Sequence, residues 1–312
     1  MRGACQVLGG TPYNHFPVTR RTFVYTALGA ASTVRAQSAP DIVDFHQHTP
    51  YSGRPADALV AHQKKLGIRT TILLPAGRSY GLAANAGGND AVKALLDQHP
   101  KSFVRFANEV PGLPDTQAVL ERTLREGAVG IGEQKFRLPC DSKPMRRIFD
   151  IAKEFNVPVL MHFEHEMYNT GLERFHKILE KYPTVNFIGH AQTWWGNIDK
   201  NHEQSVMYPS TPVTPGGWTD RYLSDYPNMY GDLSAGSGRN SMARDEDHAR
   251  GFLDRHQDRL LFGSDCSDSI GQGDECIGYR TLGLLDRLVP DPAVRGKILS
   301  GNARKLLRLP AA

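Results

Sequence analysis

From Asp41 onward the sequence alternates short apolar runs with amphipathic stretches, and this alternation restricts the fold more than any other feature. Apolar runs bounded by glycine and proline are typical of buried strands, and intervening helices allow successive strands to lie parallel. The repeat predicts eight strands, at 42–46, 70–74, 103–107, 128–132, 157–162, 185–190, 229–233 and 260–263. Helical patterns lie between them, among them 57–66, 90–98, 116–126, 144–155 and 171–181. Eight such units close an α/β barrel of the (β/α)8 type, which we expect as a single domain over residues 37–312.

An open, doubly wound α/β sheet is the alternative arrangement for alternating strands and helices. When such a sheet binds a dinucleotide, a glycine-rich turn follows its first strand. No turn of that type follows the first predicted strand of this sequence. The pattern therefore favours the closed barrel.

One segment, 194–218, interrupts the alternation of strands and helices. It is rich in proline, glycine and threonine and follows the sixth predicted strand. Loops of this length in a compact domain are usually functional or disordered. Because it leaves the carboxyl end of a strand, we expect it over the barrel mouth as a lid or substrate wall; a simple surface insertion is the alternative.

Residues 1–36 have the features of an export leader. Arg20 and Arg21 precede Phe23, a mild apolar stretch covers 24–34, and Ala36 offers a small residue at a cleavage point. This order predicts a signal peptide, and the paired arginines resemble a twin-arginine export signal. We expect a periplasmic or secreted protein that meets the export machinery; a disordered extension or a wrongly assigned start codon is the alternative.

The formal charge of +4 is confined to this leader. Residues 1–36 contain four arginines and no acidic residue, which leaves 33 basic and 33 acidic side chains in the remainder. Nucleic-acid-binding surfaces usually need a basic excess, so nucleic acid is an unexpected partner. No apolar run approaches the ~20 residues that cross a bilayer, so stable membrane insertion is not expected either.

Cys140, Cys266 and Cys276 remain outside the leader. An odd number of cysteines at irregular spacing does not indicate a disulfide framework. We expect solitary thiols, with a Cys266–Cys276 bridge as the alternative in an oxidising compartment.

Side chains that bind metals stand at the ends of five predicted strands. His46 and His48 are two residues apart on the first strand, where alternate side chains point the same way. The other strand ends carry Glu133, His162, His190 and Asp265. Each follows an apolar run directly, on the face where barrel enzymes place their chemistry. The recurrence predicts a metal centre at the barrel mouth.

This set of strand ends resembles the amidohydrolase superfamily, over nearly all of 41–309. The closing segment, Gly301-Asn302-Ala303, is similar to the tail of its amidohydrolase-related (amidohydrolase 2) branch. The resemblance implies that His46, His48 and Asp265 bind a first metal. His162 and His190 would bind a second; in one-metal members His162 joins the first set and His190 faces the substrate.

The fourth strand bears on the number of metals. Gly130-Ile131-Gly132-Glu133 is similar to the motif of the TatD-like branch, whose glutamate bridges two metals. Other branches use a carboxylated lysine as the bridge, which makes Lys135 a second candidate. We favour Glu133 because it needs no modification, and with it a two-metal centre over a one-metal centre.

A divalent ion at this place would activate water for attack on a carbonyl carbon. Imidazole and carboxylate ligands suit zinc best, with manganese or iron as alternatives. Asp265 would take the proton from the attacking water and return it to the leaving group. His190 or a second metal would polarise the carbonyl.

Residues near the same strand ends are candidates for binding a small-molecule substrate. Cationic side chains could meet a carboxylate, tryptophans could stack on a ring, and a strand-seven carboxylate could bind substrate or a neighbouring ligand. The candidates are Arg78, Lys135, Arg137, Trp194, Trp195 and Asp232. His165 and Glu166 would either orient metal ligands or be solvated loop residues.

The favoured function is hydrolysis of a lactone, ester or amide bond in a small polar or acidic molecule. Alternatives within the superfamily are a one-metal decarboxylase or hydratase and a TatD-like nuclease. A binding protein that keeps the metal without catalysis is the alternative from another class; the intact acid at Asp265 disfavours it. A homo-oligomer is compatible with the sequence.

Overall fold

The computed structural model describes residues 40–78 and 86–310. The predicted leader, 1–36, lies outside the described residues. None of the helices in the described ranges combines the length and apolar character that crossing a bilayer requires.

Within the described ranges the chain forms eight parallel strands. They are β1 Val43–Gln47, β2 Thr70–Leu73, β3 Phe103–Arg105, β4 Ile131–Gln134, β5 Val159–His162, β6 Phe187–His190, β7 Met229–Asp232 and β8 Leu260–Leu261. Strands β1 to β3 pair in sequence order, and so do β4 to β8. A parallel bridge from Ala107 to Ile131 connects the two sets. The predicted (β/α)8 barrel is confirmed.

Contacts between β8 and β1 close the barrel. The amide of Phe45 donates to the carbonyl of Phe262 at 2.9 Å, and the amide of Asp265 donates to the carbonyl of His46 at 2.9 Å. The buried carboxylate of Asp44 accepts hydrogen bonds from both the amide and the hydroxyl of Ser264. The first and last strands of the barrel are thus joined by backbone and side-chain hydrogen bonds.

Helices surround the barrel. They are α1 Ala56–Lys65, α2 Asn89–Gln98, α3 Thr116–Arg125, α4 Lys143–Phe155, α5 His176–Lys181, α6 Gln192–Gly196, α7 Trp218–Asp225, α8 Ala235–Ala243, α9 Glu246–Arg255, α10 Ile277–Leu288, α11 Pro292–Gly296 and α12 Asn302–Leu307. In α4, Ser142 caps the first turn through the amide of Met145, and apolar residues at helical spacing bury one face. The predicted helices between strands are present.

Apolar side chains fill the barrel below its mouth. Leu160, Ile188 and Tyr230 are buried, and each lies two residues before a polar strand end. Since strand side chains alternate, an apolar residue inside the barrel places the residue two positions later on the same face at the mouth. The apolar interior therefore orients His162, His190 and the end of β7.

Several predicted strands differ from the structure by one or two residues at an end, and two predicted elements differ by more. The fourth strand covers Ile131–Gln134 instead of 128–132, because Ala128 still bonds back to Thr123 in the turn after α3. The later start places Glu133 inside the strand. The predicted helix at 171–181 is interrupted: a 3-10 turn at Leu172–Arg174 precedes α5.

The segment 194–218 begins in α6 and continues as an irregular loop to Gly217. The loop is bound at several points to elements that follow the carboxyl ends of strands. Asn240 donates to the carbonyl of Pro209 at 2.9 Å, and Asp245 accepts from the amide of Val213 at 2.9 Å. These contacts are with α8 and the start of α9, so the loop lies on the side of the barrel where the predicted site is. A role as a lid or substrate wall stays a prediction.

We expect Gly189→Ala to destabilise the barrel. Gly189 precedes His190 in β6, and a Cβ atom there would lie 2.3 Å from the ring of Trp194, so the backbone or the ring must shift. Overpacking of this kind costs about 1–3 kcal/mol. Urea unfolding followed by tryptophan fluorescence should show a lower midpoint than wild type.

Gly251→Ala is the matched control. Gly251 lies on the exposed side of α9, and a Cβ atom there meets nothing within 4 Å. Alanine stabilises a helix interior by about 0.5–1 kcal/mol relative to glycine, so this midpoint should not fall. Equal midpoints for the two variants would contradict the packing described for β6.

Candidate metal centre

His46 and His48 point into the barrel mouth with their ring nitrogens close together. Their Nε2 atoms are 3.2 Å apart, and both side chains are buried. The Nδ1 atom of His48 lies 2.8 Å from the carbonyl oxygen of Leu74, which only accepts hydrogen bonds, so this Nδ1 carries a proton. The Nδ1 atom of His46 lies 2.7 Å from Oδ2 of Asp232 and donates to that carboxylate. If both imidazoles were neutral, the lone pairs of their Nε2 atoms would face each other and repel. A cation bound by both nitrogens would remove this repulsion.

Asp265 completes this first group of donors. Its Oδ1 atom lies 3.8 Å from Nε2 of His46 and 3.7 Å from Nε2 of His48. The same oxygen is buried and has no hydrogen-bond partner. Burying a carboxylate oxygen without a hydrogen-bond donor costs free energy unless a nearby cation balances its charge. Two imidazole nitrogens and one orphaned carboxylate oxygen form a donor set that fits a divalent metal.

A second group of donors consists of Glu133, His162 and His190. Nδ1 of His162 is 2.5 Å from Oε1 of Glu133, and Nε2 of His190 is 3.8 Å from the same oxygen. One ligand atom from each of the three residues lies within 4.8 Å of the others. The second group therefore has the composition and spacing of a further metal site.

Glu133 lies between the two groups. Its Oε2 atom is 3.8 Å from Nε2 of His46 and 3.5 Å from Nε2 of His48. Its Oε1 atom faces the imidazoles of His162 and His190. Each oxygen of this carboxylate is thus directed at a different pair of histidines.

Asp232 lies beneath the imidazoles and orients them. The hydroxyl of Ser234 donates to Oδ2 of Asp232 at 2.8 Å and therefore accepts from Nδ1 of His190, 3.1 Å away. The Nδ1 atom of His190 is also 3.3 Å from Oδ2 of Asp232. With Nδ1 protonated, Nε2 of His190 presents a lone pair to the mouth.

The carboxylates give the mouth a strong attraction for cations. Burial alone would lower the pKa of His46, but the charges of Asp265 and Asp232 raise the pKa to about 10. Burial also opposes ionisation of Glu133, yet the charge and hydrogen bond of His162 hold the pKa of Glu133 well below its usual range. By contrast, burial and then the charge of His46 lower the pKa of His190 and of His48. The carboxylates therefore favour positive charge at the mouth even though the site is buried. A bound metal ion would supply that charge.

Two further side chains belong to the site and were not anticipated from the sequence. Glu164 places Oε2 3.1 Å from Nε2 of His162. It is two residues after His162, so the alternation used for His46 and His48 could have identified it. Tyr51 carries a raised pKa because of the charge of Asp265, then burial, then a hydrogen bond with Asp265. No sequence pattern distinguished Tyr51.

Trp194 and Trp195 are corrections to the predicted substrate site. The two side chains are 0% and 1% exposed. Both lie in α6, where Trp194 stacks near Phe163 and the indole of Trp195 donates to the carbonyl of Asp232 at 2.8 Å. The α6 turn directs both rings under the site, so neither has a face available for a substrate.

Asp232 is the second correction. Its side chain is fully buried, and both its oxygens accept hydrogen bonds from within the protein. It therefore positions His46 and His190 and does not contact a substrate. Of the two roles proposed for Asp232 from the sequence, contact with neighbouring ligand residues is the one that the structure has. His165 and Glu166 pair loosely with each other in the loop after β5, and Glu166 is 86% exposed, as expected for solvated residues.

The three predicted cationic substrate ligands have different surroundings. Arg78 forms ion pairs with Glu109 and Asp115. Lys135 follows β4 and places Nζ 5.3 Å from the centre of the Tyr168 ring. Arg137 is exposed. Their roles toward a substrate stay predictions.

A parallel barrel that gathers imidazoles and carboxylates at the carboxyl ends of its strands is the architecture of a metal-dependent barrel enzyme. The sequence model of the family described as Amidohydrolase matches residues 43–309. The match covers most of the chain, so the chain belongs to the amidohydrolase family and is an enzyme of the amidohydrolase superfamily. Members generally use a divalent metal, and the donor groups at this mouth fit one.

Solved structures support the same fold. An uncharacterised TIM-barrel protein of Bordetella bronchiseptica is 16% identical, with a TM-score of 0.61 over 86% of this chain and 99% of that chain. A probable 2-pyrone-4,6-dicarboxylic acid hydrolase of Acinetobacter baumannii is 14% identical, with a TM-score of 0.58 over 86% and 99%. The 2,6-dihydroxybenzoate decarboxylase of Rhizobium is 16% identical, with a TM-score of 0.54 over 87% and 99%. Identities this low establish the fold alone. No curated protein sequence matches the chain.

Metal affinity should rise with pH. The pKa of His46 is raised to about 10, so the metal-free mouth keeps a proton at neutral pH that a metal must displace. For one proton released, zinc affinity should increase about tenfold per pH unit between roughly pH 6 and pH 8, and fall by the same factor as pH decreases. Chelator competition at several pH values measures this slope, and a pH-independent affinity would contradict it.

Asp232→Asn should weaken metal binding without removing a proposed ligand. The amide group cannot supply the charge that fixes the Nδ1 protons of His46 and His190, and loss of such a partner typically costs about 10–100-fold in metal affinity. The control is Asp225→Asn, at the exposed end of α7. Equal zinc affinity in both variants, measured by chelator competition, would show that Asp232 does not orient the ligands.

Proposed function

We propose that this enzyme is a two-metal hydrolase that cleaves a C–O or C–N bond of a lactone, ester or amide in a small polar or acidic substrate. His46, His48 and Asp265 would hold one divalent ion, His162 and His190 the other, and Glu133 would bridge them. Zinc suits these nitrogen and oxygen donors best.

The observation that carries the proposal is the position of Glu133. One carboxylate oxygen faces His46 and His48, and the other faces His162 and His190. A carboxylate divided in this way has the geometry of a bridge, like the strand-four glutamate of the TatD-like branch. A one-metal centre in which His162 joins His46, His48 and Asp265 would leave His190 without a cation.

The protonation of His190 supports the same reading. Its Nδ1 proton is directed at Ser234 and Asp232, so Nε2 presents a lone pair. A histidine that polarised a substrate carbonyl would need a proton on Nε2. The lone pair suits metal coordination.

Divalent ions in such a centre activate water and polarise a carbonyl oxygen. The chain's own contribution to proton transfer is the carboxylate of Asp265, which faces His46 and His48 through Oδ1 and lies 3.8 Å from Nε2 of His190 through Oδ2. A carboxylate at this place accepts the proton of the attacking water and returns it to the leaving group. The charge of Asp265 raises the pKa of Tyr51, so Tyr51 keeps its hydroxyl proton beside this carboxylate.

The surroundings of the mouth support a polar or acidic substrate. Lys135 and Arg137 follow β4 and supply positive charge that a substrate carboxylate would pair with. A groove of about 220 Å³ adjoins Glu164, between the loop after β5 and the segment that follows α6. Its lining combines uncharged polar side chains with two carboxylates and an apolar side; it includes Gln192, Thr193, Gln204, Glu164, Glu166, Met167, Val206 and Met207.

Non-oxidative decarboxylation is the second candidate. The fold is shared with 2,6-dihydroxybenzoate decarboxylase, which supports considering this reaction. In such an enzyme one metal would suffice, and Glu133 would be dispensable for holding a second.

We propose further that the leader directs export of the chain. The proposal rests on the sequence of the leader, in which Arg20 and Arg21 precede an apolar stretch. Replacing both arginines with lysine should retain the precursor inside a bacterial cell with a twin-arginine pathway. Unchanged export of that variant would contradict this route.

Glu133→Gln tests the proposal for the metal centre. The variant should bind one metal ion fewer per chain than wild type, because the amide cannot bridge two cations. The hydrolysis rate on a panel of lactones, esters and amides should fall at least about 100-fold. Elemental analysis and steady-state kinetics measure both effects.

Glu154→Gln is the control, since Glu154 is exposed on α4, away from the strand ends that carry the site. It should retain wild-type metal content and rate. Unchanged metal content in Glu133→Gln, together with release of CO₂ from aromatic carboxylates, would replace the two-metal hydrolase with the decarboxylase.

A further inference from the structure

A second cluster of metal-binding side chains lies away from the barrel mouth. His62 comes from α1, Cys266 and Asp268 from the segment after β8, and Cys276 from the residue that precedes α10. One donor atom from each lies within 4.8 Å of all the others. His62, Cys266 and Cys276 are fully or almost fully buried. The cluster shares no residue with the mouth.

Three of the six separations between donor atoms have the lengths of tetrahedron edges. The two sulfur atoms are 3.6 Å apart, Sγ of Cys276 is 3.4 Å from Nε2 of His62, and Nε2 of His62 is 3.2 Å from Oδ2 of Asp268. With zinc–sulfur bonds of about 2.3 Å and zinc–nitrogen or zinc–oxygen bonds of about 2.0–2.2 Å, the edges of a regular tetrahedron are roughly 3.8, 3.6 and 3.4 Å. The observed separations match these edges within about 0.2 Å.

The hydrogen bonds of His62 leave its Nε2 atom as an acceptor. The side-chain amide of Gln63 donates to Asp44 at 2.8 Å and to Thr71 at 2.7 Å, so its oxygen is the atom that faces His62. Nδ1 of His62 donates to that oxygen at 2.9 Å. Nε2 is therefore the nitrogen of His62 that faces the carboxylate of Asp268 and the sulfur of Cys276, and it would coordinate a cation that displaces its proton.

The two sulfur atoms accept hydrogen bonds from the start of α10. The amide of Gly278 donates to Sγ of Cys266 at 3.0 Å, and the amide of Tyr279 donates to Sγ of Cys276 at 3.4 Å. Amide donors at the N-terminus of a twelve-residue helix favour negative charge on sulfur. The thiolate is the form of cysteine that binds a metal.

We propose that His62, Cys266, Asp268 and Cys276 form a structural site for one zinc ion. Four protein ligands would close its coordination shell, as in structural zinc sites, and leave no position for a substrate. The ion would join α1 to the segment between β8 and α10. That segment begins beside Asp265, so the site fixes the backbone that presents Asp265 to the mouth.

Cobalt substitution tests this site separately from the mouth. The donors at the mouth are nitrogen and oxygen atoms, so a thiolate-to-cobalt charge-transfer band reports only the cysteine cluster. The reduced full-length protein should show this band on adding Co²⁺, and Cys5→Ser and Cys140→Ser should retain it. Cys266→Ser and Cys276→Ser should lose it and bind one zinc ion fewer per chain.

A measurement on the wild-type protein covers the case in which the cysteine variants fail to fold. In the native state Cys266 and Cys276 should be alkylated more slowly in the zinc-loaded protein than in the chelator-treated protein, whereas the rate at Cys140 should be the same in both, as peptide mass spectrometry would show. The proposal is overturned if the reduced wild-type protein gives no thiolate–cobalt band or no protection. It is equally overturned if the isolated protein carries a Cys266–Cys276 disulfide and its reduced form binds no metal there. Neither result depends on Glu133 or on hydrolysis.

Discussion

Hydrogen bonds between the last strand and the first strand close the barrel, and the mouth depends on this closure. The amide of Asp265 donates to the carbonyl of His46, so the backbone contact that joins β8 to β1 also sets the carboxylate beside the imidazoles. Asp44 strengthens the same seam by accepting hydrogen bonds from Ser264. Since the carboxyl ends of all parallel strands lie at one edge, closure brings residues more than 200 positions apart into one donor set.

Charge balance then explains the arrangement of the mouth. Burying carboxylates and imidazoles together is costly unless their charges are matched. Asp232 accepts a hydrogen bond from Nδ1 of His46, and with Ser234 one from Nδ1 of His190, which turns the Nε2 atoms toward the centre. Glu133 and Asp265 supply negative charge on the opposite side. Such a centre attracts cations and pairs each histidine with a second partner that fixes its orientation.

The segment between β8 and α10 connects the mouth to the cysteine cluster. Asp265 is directed into the mouth, whereas the next residue, Cys266, is directed outward to Cys276 and His62. Arg54 connects the first strand with the segment that carries the cluster: it donates to the side-chain oxygen of Gln47 in β1 and to the carbonyl of Asp268. A metal held by the cluster would restrain this segment on the side away from the substrate, where restraint does not obstruct access.

The sequence by itself determined the barrel and the donors at its mouth, because both follow from local periodicity. Alternating apolar runs define the strands, and period-two alternation aligns His46 with His48 and would have aligned Glu164 with His162. The tertiary structure alone decided that Trp194 and Trp195 are core residues, because the short helix α6 sets the direction of their side chains. In the sequence, adjacent aromatic residues look the same whether they pack in the core or line a substrate site. It also decided that Asp232 supports the imidazoles and that His62 meets Cys266 and Cys276. Such meetings depend on how helices pack over the sheet, a long-range property that no local pattern in the chain encodes.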